Sequence, residues 1–110
     1  MNRILGIAIA LAALAATTPA TAADLDAGKQ KAQEVCQACH GMDGLSAQFA
    51  DYPKIAGQHR DYLAKALRDY KSGARKHPIM GAMAQPLTVQ DIDNVTTYYA
   101  SQPGPLQSRY

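Results

Sequence analysis

The sequence is short of several features, and each shortage excludes a class of protein. The 110 residues contain only two cysteines, and a disulfide between them would close a very short loop that constrains little of the unfolded chain. Lys and Arg number 11 against 9 Asp and Glu, a near balance that gives no basis for nucleic acid binding. The longest apolar run, residues 4–16, is shorter than the roughly 20 residues that a membrane-spanning helix needs. Beyond residue 23 no stretch alternates between apolar and polar residues, so no β-strand is predicted.

The first two dozen residues are typical of an export signal. Arg3 gives a positive start, the apolar run follows, and Ala20-Thr21-Ala22 forms an A-x-A cleavage pattern. We therefore predict a signal peptide over residues 1–23 and one exported domain over residues 24–110. An uncleaved anchor or a buried helix is the alternative interpretation. A core as small as that of the remaining domain is marginal without a disulfide, a metal or a cofactor.

Residues 36–40 read Cys-Gln-Ala-Cys-His, the spacing at which c-type haem is attached. The two thiols can bond to the vinyl groups of one haem, and His40 can ligate its iron. A disulfide would leave His40 unexplained, and a thioredoxin-like motif expects a strand before the cysteine pair. A zinc site would need a second pair of ligands, and only His59 and His77 are available, at loose spacing. We therefore predict one covalently bound haem c with its iron.

The domain reads as an all-α chain whose helices are joined by irregular loops. Asp24 or Asp26 can cap a first helix that runs to the region of Cys36. Gly28 is the one weak residue in this helix, and it predicts a close crossing with another helix, because a missing side chain lets a second backbone approach. Residues 41–58 contain glycines, a proline and no sustained period, which predicts a loop.

Two more helices follow. Apolar residues at three- and four-residue steps predict a helix from about His59 to Ser72, with Gly73 as its left-handed C-terminal cap. Residues 74–87 contain prolines and a glycine, which predicts a second loop. The stretch from Thr88 to Asp91 resembles a capping box, and the helix that it opens ends before Pro103.

The second axial ligand of the iron is not fixed by the sequence pattern alone. The candidates are Met42, His59, His77, Met80 and Met83. Met42 is too close to the attachment motif to reach the opposite face of the haem. Met80 and Met83 are separated from the motif by a whole helix, as a chain that wraps around the macrocycle requires, although most methionines simply fill cores. Met80 and Met83 are therefore the leading candidates, and Met83, which lies nearer the last helix, could instead pack on the haem.

The other ring nitrogen of His40 should donate to a fixed acceptor, because such bonds orient ligating histidines and set their basicity. The main-chain carbonyl of Pro53 is the predicted acceptor. The alternative is that Pro53 only stiffens a loop.

Several motifs together make the chain resemble a small bacterial class I c-type cytochrome. It is most similar to the single-haem proteins that resemble one half of the periplasmic dihaem cytochromes c. The resemblance covers essentially all of residues 24–110. The residues that carry it are Cys36–His40 with Gly41, Asp43 and Gly44, then Pro53–Gln58, Tyr62, Leu63, Arg75, Met80, Asp91, Ile92 and Tyr98–Ala100.

This resemblance implies the class I fold, in which three main helices and their loops wrap around one covalent haem. It implies that Cys36 and Cys39 anchor the haem, that His40 and Met80 are the axial ligands, and that the Pro53 carbonyl holds His40. It also implies that the first and last helices cross near Gly28 and Tyr98.

The resemblance further implies a periplasmic, monomeric one-electron carrier that is not an enzyme and meets other redox proteins transiently. Basic residues between Lys65 and Lys76 could orient such partners, or they could simply form a solvated helix face. Two functional alternatives stay open. One is a haem enzyme or gas sensor with a labile sixth ligand, and the other is a dedicated electron-transfer subunit of a larger oxidoreductase.

Overall fold

The computed structural model describes residues 9–17 and 21–107. The described residues form helices and loops without a strand, so the all-α prediction is confirmed. The predicted signal peptide lies partly outside the described residues, and its described part contains no helix or strand. The elements in chain order are α1 (Leu25–Lys31), a π-helical turn (Ala32–Cys36), α2 (Gln37–His40), α3 (Arg60–Ser72), α4 (Pro78–Ala84) and α5 (Val89–Ala100).

Helices α1 and α5 cross in close contact at Gly28. A Cβ atom added there would lie 2.1 Å from the backbone oxygen of Asn94 and 3.1 Å from the Cβ of Tyr98. Gly28 is therefore the residue that lets the two backbones meet, and the predicted crossing near Gly28 and Tyr98 is confirmed. The Asp24 side chain caps α1 by accepting from the backbone N–H groups of Asp26 and Ala27.

The attachment motif lies at the end of one continuous helical path. α1 leads into the π-helical turn, whose first residue, Ala32, is fully buried, and α2 then carries the second cysteine and His40. The path stops at Gly41, whose φ of 76° lies in the left-handed region that glycine adopts without strain. The sequence pattern does not predict the π-helical turn, which joins α1 to α2 directly.

Helix α3 begins one residue after the predicted start and ends at Ser72, and Gly73 has the left-handed conformation predicted for its C-terminal cap, with a φ of 84°. The prediction of a loop over residues 74–87 is wrong in part, because α4 forms within it. Pro78 stands in the first turn of α4, where a missing N–H costs nothing. His77 caps the helix, since its Nδ1 accepts from the Met80 N–H at 3.2 Å.

Helix α5 provides more of the buried hydrophobic residues than any other element of the described chain. Its predicted capping box is present, with Thr88 and Asp91 each accepting from the other's backbone N–H. Its buried face joins two clusters, the first of Ala32, Val95, Tyr98 and Tyr99 and the second of Ala64, Leu87 and Ile92. Within residues 9–17 and 21–107, the helices are all too short or too polar to cross a lipid bilayer.

Candidate haem-binding site

Two adjoining cavities are lined by His40 of the attachment motif. The larger measures about 330 Å³ and the smaller about 110 Å³. Apolar side chains from α3, the end of α5 and the loop after Pro53 line the larger one. Ile79, Met80 and Met83 of α4 are among the residues that line the smaller one. The residues common to both are Cys36, His40, Pro53, Leu67 and Met80.

His40 is oriented for metal ligation. It is 8% exposed, and its Nδ1 lies 3.0 Å from the carbonyl oxygen of Pro53. Because a carbonyl oxygen can only accept, Nδ1 carries the ring proton and Nε2 keeps its lone pair for a metal. Burial lowers the pKa of His40, against a smaller opposing effect of the Pro53 carbonyl. His40 is therefore a neutral imidazole, the form that binds iron.

Cys36 and Cys39 border the same space. Both are free thiols of intermediate exposure. Cys36 lines both cavities and Cys39 lines the smaller one. Burial raises the pKa of the Cys36 thiol to about 11, as expected for a side chain that faces an apolar space. The structure thus brings two thiols and one imidazole to the edge of a single apolar recess, a donor set that fits a thioether-bound haem.

The five candidates for the second axial ligand lie in different surroundings. Met80 alone among them borders both cavities, while Met83 borders only the smaller one and is 42% exposed. Met42 packs against the core cluster of α5. His77 faces the smaller cavity, but its Nδ1 is already engaged as the cap of α4. His59 stands at the start of α3 and borders neither cavity.

Two tyrosines of α5 hold the chain just after the motif. The Tyr98 hydroxyl donates to the Met42 carbonyl at 2.7 Å, and the Tyr99 hydroxyl donates to the Gly41 carbonyl at 2.9 Å. Burial raises the pKa of both phenols, so both remain protonated donors at neutral pH. A pair of adjacent tyrosines at the end of an otherwise apolar helix face is the sequence signal for this role, since buried phenols need an acceptor.

Ser46 is a site residue that no spacing or motif predicts. Its hydroxyl donates to the Pro53 carbonyl at 2.9 Å, the same oxygen that His40 contacts. Ser46 is buried and has a φ of 53°, the one non-glycine residue with positive φ in the described part of the chain.

Comparison with known proteins assigns this arrangement to a family. Residues 25–102 match the family described as Cytochrome c. The chain belongs to the cytochrome c family. The cofactor of this cytochrome c domain is therefore haem c, bound covalently, and Cys36 and Cys39 fit its attachment motif. The predicted family and fold are both confirmed.

Individual relatives agree with this assignment. Cytochrome c4 of Thiocapsa roseopersicina is 46% identical over 80 residues, which cover 73% of this chain and 41% of that protein. The thiosulfate dehydrogenase electron acceptor of Thiomonas intermedia (strain K12) is 39% identical over 100 residues, covering 91% of this chain and 44% of that protein.

The solved structure of reduced recombinant cytochrome c4 from Pseudomonas stutzeri is also similar. It superposes with a TM-score of 0.68 at 41% identity, over 76% of this chain and 47% of that one. This cytochrome c domain therefore spans less than half the length of these three relatives.

Proposed function

We propose that this cytochrome c domain is a one-electron carrier between redox proteins and is not itself an enzyme. The observation that supports the proposal is the apolar recess that both His40 and Met80 border, because in this proposal these two residues are the iron's two protein ligands. An iron with two permanent protein ligands has no open position for a substrate. The names of the relatives, cytochrome c4 and thiosulfate dehydrogenase electron acceptor, support the same role.

In this proposal each site residue has one role. Cys36 and Cys39 form the thioether bonds, and His40 and Met80 are the axial ligands. Haem c, when bound, supplies a reversible ferric–ferrous couple. The Pro53 carbonyl keeps the ring proton of His40 on Nδ1 and fixes the orientation of the ring. The apolar lining excludes water and favours the less charged reduced state, while the thioether of Met80 raises the reduction potential.

Replacement of each methionine tests the axial assignment. The oxidised protein should show the weak far-red absorbance of methionine bound to haem iron. Met80→Ala should abolish this band, because the thioether that borders both cavities is lost. Met83→Ala is the matched control and should retain it. If Met83→Ala loses the band and Met80→Ala keeps it, the assignment is wrong.

The surroundings of Met80 favour an electron carrier over a haem peroxidase or a gas sensor. Those proteins need an open or easily displaced position on the iron, and a peroxidase also needs an acid–base group near it. Met80 borders both cavities and is proposed to fill that position, and His59 borders neither cavity.

The name of the Thiomonas intermedia relative favours a second candidate, a dedicated electron acceptor of one dehydrogenase. Under this hypothesis the domain copurifies with that dehydrogenase at fixed stoichiometry. Recovery of the domain as a free monomer that exchanges electrons with several redox proteins would exclude it.

We further propose that residues 1–23 direct export and are removed, so that the mature domain acts in the periplasm as a monomer. The mass of the exported protein tests this directly, since it should equal that of residues 24–110 plus one haem. An N-terminus that still carries residues 1–23 would contradict the cleavage.

The basic residues from Lys65 to Lys76 are proposed to orient redox partners weakly. Two of these basic side chains already interact with other side chains of the domain. Lys65 pairs with Asp69, and the Arg75 guanidinium lies 4.8 Å from the centre of the Tyr70 ring. The other basic side chains of this stretch are exposed, and salt screens their charge. They would therefore affect the rate of association with a partner more than the affinity.

A further inference from the structure

The carbonyl oxygen of Pro53 accepts two hydrogen bonds at once. His40 Nδ1 lies 3.0 Å from it and Ser46 Oγ lies 2.9 Å from it. We propose that Ser46 is a positioning residue that sets how strongly His40 donates to the iron, by sharing the acceptor that His40 uses. The proposal rests on His40 being an axial ligand, as proposed above.

The conformation of Ser46 shows that this contact is maintained against a local cost. A φ of 53° is a left-handed backbone conformation that is unfavourable for a non-glycine residue, and such strain persists only where the surrounding structure imposes it. The Ser46 N–H donates to the His40 carbonyl at 2.9 Å, while the side chain reaches Pro53. Ser46 thus links the backbone of the ligating residue to the acceptor of its ring. It is only 5% exposed, so water has little access to compete for these bonds.

The direction of the effect follows from how an acceptor is shared. An oxygen whose electron density is already drawn by one O–H accepts a second hydrogen bond less strongly. The Ser46 hydroxyl therefore weakens the bond from His40 Nδ1, which leaves the imidazole less anionic in character and a weaker donor to iron. A weaker donor stabilises the ferric state less. Ser46 accordingly keeps the reduction potential higher than His40 and Pro53 alone would.

Two variants of the haem-loaded protein separate this role from a purely structural one. Ser46→Ala and Ser46→Gly both remove the hydroxyl, but only glycine relieves the backbone strain. Both should lower the reduction potential by the same amount, about a threefold change in the ferric–ferrous equilibrium, or about 30 mV from 59 mV per tenfold. Their melting temperatures should differ, with Ser46→Gly the more stable. Ser101→Ala is the matched control, since it removes a hydroxyl that donates to the Tyr98 carbonyl instead, and its potential should be unchanged.

The reduction potentials of the two Ser46 variants either support the proposal or overturn it. Two equal decreases in potential support the proposal. An unchanged potential in both variants would show that Ser46 only closes its loop, and a raised potential would show that it strengthens the bond of His40. Either result overturns the proposal. A decrease in Ser46→Ala that is absent from Ser46→Gly would assign the effect to backbone strain and would also overturn it.

The spectrum of the unmutated protein tests the underlying ligand assignment separately. Ring protons of His40 bound to ferric iron should have large paramagnetic shifts in the proton NMR spectrum. Unshifted ring protons would refute His40 as a ligand, whatever the variants do. With His40 bound, the exchange of its Nδ1 proton with solvent should slow in Ser46→Gly, because the remaining hydrogen bond becomes stronger, and an unchanged or faster rate would contradict the proposal for Ser46 alone.

Discussion

The crossing of α1 and α5 at Gly28 gives a prediction whose size can be worked out from the structure. In Gly28→Ala the new Cβ would lie 2.1 Å from the Asn94 oxygen, a backbone atom in the middle of a helix. The helices would have to separate by about 1.3 Å to restore ordinary van der Waals contact at 3.4 Å. Overpacking of this kind costs about 1–3 kcal/mol. Because the Asn94 oxygen belongs to a helix backbone and cannot rotate away, we expect a net loss of about 2 kcal/mol in the free energy of unfolding. This figure includes the gain from the higher helix propensity of alanine.

The assay is thermal unfolding of the haem-loaded protein, with denaturant unfolding as a second measure. A loss of about 2 kcal/mol lowers the Tm of a domain this small by roughly 8–16 °C. Gly81→Ala is the matched control, because Gly81 also lies in a helix, α4, and its added Cβ would meet its nearest atom, the Tyr70 oxygen, at 3.9 Å. Its stability should be unchanged or increased by up to about 1 kcal/mol.

The reasoning is refuted if Gly28→Ala is as stable as the unmutated protein. It is also refuted if the two variants lose similar amounts, since the effect would then follow the type of substitution and not the contact between α1 and α5.

Two further predictions concern charge. Asp91 completes the capping box at the start of α5. Its carboxyl accepts from the backbone N–H of Thr88, and this hydrogen bond is the main cause that lowers its pKa below the ordinary 3.8. Lys31, whose Nζ lies 3.6 Å from the carboxyl, adds to the effect. The stabilisation by this carboxylate is therefore complete above that value and is lost as pH falls through the lower folded-state pKa. Asp91→Asn should lower the free energy of unfolding by about 1 kcal/mol near pH 7 and by progressively less in acid. If the difference in stability between the variant and the unmutated protein stays constant from pH 7 to pH 2, the carboxylate is not the cause. If the residues from Lys65 to Lys76 orient partners, the rate of electron exchange with an acidic redox protein should fall as salt rises, and a rate independent of salt would remove the electrostatic part of the docking proposal.

Helices α1, α3 and α5 are predictable from sequence because their signals are local. An aspartate cap, an apolar stripe followed by Gly73, and the Thr88–Asp91 capping box each involve neighbouring residues of the chain. Helix α4 was missed because Pro78 and Gly81 usually indicate a loop. His77 is its N-terminal cap, and histidine is not among the residues preferred there.

The residues of the candidate site also differ in whether neighbouring residues of the chain predict them. Cys36, Cys39 and His40 are adjacent in sequence and could be recognised from their spacing alone. Ser46 could not, because its importance depends on a carbonyl seven residues away that a folded loop brings to its hydroxyl. The resemblance favours Met80 over Met83, but the finding that only Met80 of the two borders both cavities depends on where α4 lies, and the sequence pattern does not predict α4.

The central claim is that both axial positions of one covalently held iron are filled by the protein. Exposure of the reduced, haem-loaded protein to carbon monoxide tests it most directly. The account predicts a visible spectrum that stays unchanged, together with a one-electron titration of the same haem. Rapid conversion to a carbon monoxide adduct would show an open iron and contradict the role of electron carrier.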